Sequence, residues 1–349
     1  MTTLRMAATL AVAGGAGALA QALRCPLPWM IGPLLCCALL SMGGVPLLGS
    51  DRLRNAGQWI IGTALGLYFT PAVLGTVWRL APAVAAGALW ALALGYGFYR
   101  FLWWSHRSSG VLKRSTAFFA AAIGGASEMA ILAERAGAQV DRVAAAHSLR
   151  VLLVVVIVPF TLQALGVHGF DLVPPGARDV HWPALALLLV ATAGGAWWMR
   201  RLGTPNPWVL GALAVATLMA GTGLAGTAMP RPFSNAAQVV IGISLGTRFS
   251  PEFLRSAPRW LAAVAGGTLA MLAVSAAFAA VLAAWLGGHP ATLVLATVPG
   301  GIAEAAITAS VLGLGVPVVT AFQVVRYVTV LTLTGVLYRW ERLHRQSAD

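Results

Sequence analysis

Gly124-Gly125-Ala126-Ser127-Glu128 recurs as Gly300-Gly301-Ile302-Ala303-Glu304, and 22 residues beyond each Glu stands an arginine, Arg150 and Arg326. One offset, 176 residues, relates Gly125 to Gly301, Glu128 to Glu304, Gly137 to Gly313 and Arg150 to Arg326. Ionisable groups in apolar surroundings are costly enough to count as functional candidates by default. Glycine lets the backbone leave helical geometry. A half-helix restarting after Gly-Gly then presents free N–H groups and a positive dipole end, which suit an anion. The adjoining carboxylate could bind a proton or Na⁺. Arg150 and Arg326 lie in apolar stretches, and two roles are open to them. Each could pair with the Glu of its own half and join two helices, or hold a substrate carboxylate through two parallel donors. His147 and Gln323 stand three residues before those arginines, on the same helix face. They serve either in packing or as hydrogen-bond partners of a solute, and Gln in place of His argues against an obligatory proton relay.

The elements that must carry these groups are membrane helices. Hydrophobic residues make up 59% of the 349 and charged residues only 9%, unlike the balance of a soluble domain. Apolar runs of about 20 residues, the length that crosses a hydrocarbon core, follow one another at roughly 6–22, 27–48, 55–77, 80–103, 115–134 and 143–166. They continue at 184–199, 207–228, 235–253, 260–286, 291–312 and 317–338. Alternating strands of a β-barrel are absent. Residues 1–22 resemble a signal peptide, but their counterpart at 184–200 favours a retained first helix. The net charge of +13 sits in short loops and at Arg339, Arg342 and Arg345, a pattern that orients membrane proteins and does not suit nucleic acid. Cys25, Cys36 and Cys37 lack metal-type spacing, and no cofactor is expected.

Self-similarity extends along the chain. Leu23-x-x-Pro26-x-Pro28-Trp29-x-x-Gly32 matches Leu202-x-x-Pro205-x-Pro207-Trp208-x-x-Gly211 at offset 179. Asn55-Ala56-x-Gln58 through Gly62, Gly66, Phe69 and Pro71 matches Asn235-Ala236-x-Gln238 through Gly242, Gly246, Phe249 and Pro251 at offset 180. Two membrane repeats follow, 1–175 and 176–349. Pro28-Trp29 and Pro207-Trp208 read as helix starts with an interfacial aromatic anchor. Gly62/Gly66 and Gly242/Gly246 read as small faces for close helix contact. Asn55, Gln58, Asn235 and Gln238 are secondary site candidates, with capping of a helix start as the plainer reading. Glu134, Arg135, Asp141 and Arg142 have uncharged counterparts and read as a solvated connection.

If the fifth and sixth segments of each half make one net crossing, the basic residues separate. Arg5, Arg52, Arg54, Arg100, Arg107, Lys113, Arg114, Arg200, Arg201, Arg255, Arg259 and the C-terminal arginines then share one side, leaving Arg24, Arg79, Arg178 and Arg231 on the other. That asymmetry places both termini in the cytoplasm, and an odd number of crossings makes the repeats inverted, as in many secondary transporters. The fold expected is an all-α polytopic membrane protein of two inverted repeats. Its Gly-Gly-interrupted helices could be re-entrant or broken.

At Pro28-Trp29-x-x-Gly32, Gln58 through Gly66, Gly124-Gly125-x-x-Glu128 and Arg150, with Pro299-Gly300-Gly301-x-x-Glu304 and Arg326, the chain resembles the duplicated AbrB-type membrane protein family of Gram-negative bacteria. Ile123 stands where the second half has Pro299. Members carry labels as transcriptional regulators or as ammonia monooxygenases. A monooxygenase needs clustered metal ligands, whereas His106, His147, His168, His181, His289 and His344 are scattered; neither an enzyme nor a metal site is expected. The soluble DNA-binding hairpin of the similarly named regulator is absent too. Gly-Gly breaks in inverted repeats are similar to organic-anion and glutamate symporter architectures, an analogy of fold. The expected function is secondary transport of a small organic anion or zwitterion coupled to H⁺ or Na⁺, in the bacterial inner membrane. The binding residues would be Gly124, Gly125, Glu128, His147, Arg150, Gly300, Gly301, Glu304, Gln323 and Arg326. The alternative is a membrane sensor or regulator of gene expression acting through a partner. Its output segments could only be 104–115 or 339–349, too short for domains. A homo-oligomer stays open.

Overall fold

The computed structural model describes residues 2–107, 112–169, 179–251 and 258–346, and these hold fifteen helices and no strand. Arg178 and Arg255 of the charge count, the middle of 104–115 and the last residues of 339–349 lie outside the described residues. In order the helices are α1 (Thr2–Ala22), α2 (Pro28–Met42), α3 (Asp51–Gly66), α4 (Pro71–Arg79), α5 (Ala81–His106), α6 (Arg114–Ala121), α7 (Ala126–Arg135) and α8 (Val140–Ala164). There follow α9 (Trp182–Arg201), α10 (Pro207–Gly221), α11 (Arg231–Gly246), α12 (Pro258–Leu286), α13 (Pro290–Thr297), α14 (Ile302–Val311) and α15 (Val316–Gln346). Six of them (α1, α5, α8, α9, α12 and α15) are long and apolar enough to cross a bilayer. The chain is a multi-pass membrane protein.

The 55–77 segment, expected as one helix, is two: α3 and α4 meet at 89° across Leu67–Thr70. Pro71 explains the break, because it disfavours helical geometry in the residue before it and starts a new helix well. Pro28 and Pro207 do begin α2 and α10, and the residue before each, Leu27 and Asn206, is left-handed at φ 47° and φ 50°. Trp29 packs with Leu10 and Leu47 against Ala13, Cys37, Val239 and Ile243.

The helices form two compact units, and each draws on both halves of the sequence. The first comprises Met1–Arg79, Val155–Leu254 and Ala303–Thr320; the second comprises Leu80–Val154, Arg255–Ile302 and Ala321–Asp349. Within the first unit α1 packs on α2 and α11, and α9 packs on α10 and α3. Likewise α2 packs on α11 and α10 on α3.

The repeated glycines make those approaches. A Cβ on Gly62 would stand 2.5 Å from the Val209 carbonyl oxygen and 3.1 Å from Ala212 Cβ. On Gly242 it would stand 2.6 Å from the Met30 oxygen and 3.1 Å from Pro33 Cβ. Gly66 sits likewise against Ala216, and Gly246 against Cys37. Gly32 meets the Ala16 carbonyl and Gly211 the Gly195 carbonyl. Because the obstacles are backbone atoms and the Cβ carbons fixed to them, Gly66→Ala or Gly246→Ala must push two helices apart, at about 1–3 kcal/mol for overpacking. We expect a lower thermal midpoint in detergent for either, against an unchanged one for Gly75→Ala, whose Cβ would meet open space. Equal midpoints for all three would show that the close contact is dispensable.

Candidate binding site at the broken helices

The second unit holds the backbone of both breaks. Helix α6 is only eight residues long, and four residues, Ala122–Gly125, separate it from α7. Val298–Gly301 separate α13, also eight residues, from α14. A helix that stops inside protein leaves carbonyls without partners at its C-terminal end and N–H groups at the next N-terminal end. The sequence supplies a remedy for the first need from α8 and α15.

Arg150 is 2% exposed. Its Nη1 donates to the carbonyls of Ala120 (3.2 Å) and Ala121 (3.5 Å), and its Nη2 to that of Ala122 at 2.9 Å. Nη2 also lies 2.7 Å from His147 Nδ1, while His147 Nε2 lies 2.9 Å from the Phe119 carbonyl oxygen. A carbonyl and an arginine fix the tautomer. Nε2 must carry the hydrogen that Phe119 accepts, and Nδ1 must offer its lone pair to Arg150. Both ring nitrogens of His147 are thereby used. Arg150 thus cancels the negative end of the α6 dipole and forms no ion pair with Glu128.

The second half repeats the device with different chemistry. Gln323 Nε2 donates to the carbonyls of Leu295 (2.8 Å), Val298 (3.3 Å) and Ala296 (3.4 Å). Arg326 donates from Nη1 to Val298 at 2.6 Å and from Nη2 to the Gly300 carbonyl. Leu295 is the 176-residue counterpart of Phe119. The position therefore requires a donor to that carbonyl, which either an imidazole N–H or an amide can supply. His147→Gln is expected to keep the thermal midpoint, whereas His147→Leu leaves the Phe119 carbonyl unpaired at about 1–3 kcal/mol. A midpoint as low for the Gln variant as for the Leu variant would contradict this.

At the start of α7, Gly125 is the N-cap and no side chain caps the helix. Glu128, in the first turn, is half-buried, and its carboxylate folds back over Gly125, where any Cβ would collide with it. Gly300 stands against Val154 of α8. Tyr327, from α15, brings its ring against Gly125, with Cε2 3.2 Å from where a Cβ would be. So each long helix that holds one break also touches the other. Tyr327 was not foreseen; its counterpart is Val151, and its signal in the sequence was only its place beside Arg326.

The remaining candidates lie elsewhere. Glu304, the third residue of α14, belongs to the first unit, as does the Tyr68–Ser310 hydroxyl pair at 2.9 Å. Asn55, Gln58, Asn235 and Gln238 are in the first unit too, and not at helix starts. They are the fifth and eighth residues of α3 and α11, so the capping reading is wrong. The cap of α3 is Ser50, whose hydroxyl accepts from the Leu53 N–H at 3.5 Å. Glu134, Arg135 and Asp141 are exposed around the α7–α8 turn, as a solvated connection should be. Among the described residues no three His, Cys, Asp or Glu side chains gather as a metal would need.

Helical architecture, six spanning-length apolar helices and helix ends held by buried arginines define a multi-pass membrane protein with interrupted helices. The family model described as "Transition state regulatory protein AbrB" matches residues 29–342, and the chain belongs to that family. It is 27% identical to "Uncharacterized protein YhjN" of Bacillus subtilis (strain 168), over 92% of this chain and 89% of that one. It is 28% identical to "Putative regulator AbrB" of Escherichia coli (strain K12), over 90% of this chain and 89% of that one. No solved structure matches the chain.

Proposed function

We propose that the protein is a secondary transporter of a small organic anion or zwitterion, coupled to H⁺ or Na⁺, in the bacterial inner membrane with both termini cytoplasmic. One observation carries this reading. A short apolar helix stops, its carbonyl end is neutralised by a buried arginine, and the next half-helix starts uncapped beside a carboxylate. Irregular backbone within a membrane is tolerated where it is buried in protein or lines a cavity, and transporters place such helix ends at their solute sites. The paired glycine contacts, which interchange on adding 179 or 180 to the residue numbers, support two repeats related by a two-fold axis, inverted in the membrane. In this reading Arg150 and Arg326 fix the breaks, and Glu128 and Glu304 meet the solute and the coupling cation.

Solid-supported-membrane electrophysiology on proteoliposomes tests the proposal. Rapid exchange into carboxylates and amino acids, under H⁺ or Na⁺ gradients, is expected to give transient currents that empty liposomes lack. Silence under every combination overturns it. A second reading, a membrane regulator that binds its ligand without moving it, is favoured by the name of the Escherichia coli relative. It predicts ligand stabilisation of the purified protein with no current.

A further inference from the structure

A cleft of the second unit, beside the first break, has no part in the transport proposal. It opens between α5, α6 and α15, has a volume of about 340 Å³, and is lined chiefly by apolar groups such as Ala91, Phe118, Ile123 and Val330. Its buried hydroxyls are already engaged. Tyr99 donates to Glu341 Oε1 at 2.7 Å, and Thr334 donates to the Val330 carbonyl. Water settles in a cavity only where it finds several polar partners, so this one suits a hydrocarbon chain. Its mouth lies on two helices of spanning length, where the lining residues Tyr96 of α5 and Leu337 of α15 are exposed. Leu333 and Val336 are exposed on the same stretch of α15. An apolar surface exposed on spanning helices meets lipid.

Toward the adjacent C-terminal ends of α5 and α15 the surroundings become basic. The exposed Arg100, one turn beyond Tyr96, donates to the Tyr96 hydroxyl. Arg114 is exposed as well, with its guanidinium 4.6 Å from the centre of the Trp103 ring. The carboxylate of Glu341 is buried and accepts from Tyr99, so the accessible charge at this end is positive. Trp104 and Trp340 are exposed at the same helix ends, and tryptophans there mark the headgroup level. We infer that the cleft binds an anionic phospholipid, with one acyl chain between α5 and α15 and the phosphate on Arg100. A guanidinium matches phosphate through two parallel donors, and basic pockets between membrane helices hold anionic headgroups. A neutral lipid would leave the charge unmatched. A second copy seated there by two-fold symmetry would bring like arginines together. The inference does not depend on transport.

The test uses the purified full-length protein, stripped of lipid in detergent. It is titrated with dioleoylphosphatidylglycerol, dioleoylphosphatidylcholine and oleate, retained lipid being counted by native mass spectrometry and the thermal midpoint followed in parallel. Phosphatidylglycerol is expected to be retained in preference to phosphatidylcholine and to raise the midpoint. Arg100→Gln alters an exposed side chain, so it should keep the lipid-free midpoint and reduce that preference about fivefold, the worth of one arginine near a charged surface. Gly95→Leu fills the cleft from α5, where an added Cβ meets no atom closer than 3.6 Å, and should retain one phosphatidylglycerol fewer. A preference unchanged in Arg100→Gln overturns the inference, as does an unchanged count in a folded Gly95→Leu. Oleate retained as well as phosphatidylglycerol overturns it in favour of a free fatty acid. An oligomer that Gly95→Leu dissociates overturns it in favour of a second copy of the chain.

Discussion

Arg150→Met is expected to lower the thermal midpoint further than any other single change considered, by an amount equivalent to about 3–6 kcal/mol. The estimate follows from what methionine leaves behind. Ala120, Ala121 and Ala122 lose their donor together, and each buried carbonyl left unpaired costs about 1–3 kcal/mol. Methionine fills the space and removes a desolvated charge, which offsets part of the loss. It cannot remove the backbone acceptors. Arg150→Lys keeps the charge but offers one nitrogen where two now span three carbonyls, so an intermediate midpoint is expected. Thermal denaturation of purified variants in detergent checks the order wild type, Lys, Met. A methionine variant as stable as wild type would mean that α6 ends without help from α8, and the role given to Arg150 would fall.

Glu128→Gln is expected to behave in the opposite way. The side chain is half-buried, isosteric with its replacement and outside the ion pairs of the described residues, so the unliganded midpoint should change little, because an amide of the same shape can still accept a hydrogen bond where the carboxylate does. Solute-driven current should fall roughly 100-fold, because glutamine gives up the charge that an ammonium group or coupling cation requires. Glu304→Gln is expected to lose current as well. Currents and midpoints from the same preparation separate a transport defect from a folding defect.

The contrast between these residue pairs also marks what could be read from the chain. Both breaks were visible, because Gly-Gly in an apolar run has few other uses, and so were the starts of α2 and α10 at Pro28 and Pro207. The partners of Arg150 and Arg326 were not. A guanidinium seeks negative charge, and in sequence the only negative groups on view are carboxylates; the acceptors are backbone carbonyls, which every residue possesses and only a helix end exposes. The same blindness left His147 and Gln323 as a mismatch, though each donates to the matching carbonyl of its own half, Phe119 or Leu295. Asn55 and Asn235 looked like caps because the apolar run starts there, while α3 begins at Asp51 behind Ser50. Tyr327 escaped because its partners, Gly125 and Glu128, lie about 200 residues away in sequence, a separation that only tertiary structure closes.

In the proposed transport cycle Glu128 and Glu304, at the two interrupted helices, handle the charge that moves. Solid-supported-membrane currents of wild type, Glu128→Gln and Glu304→Gln, compared at equal protein density for the solute that stabilises the protein most, test it directly. A solute-dependent current is expected in wild type and is expected to be abolished by both substitutions while the thermal midpoint of Glu128→Gln is preserved. Full current in both variants would contradict it.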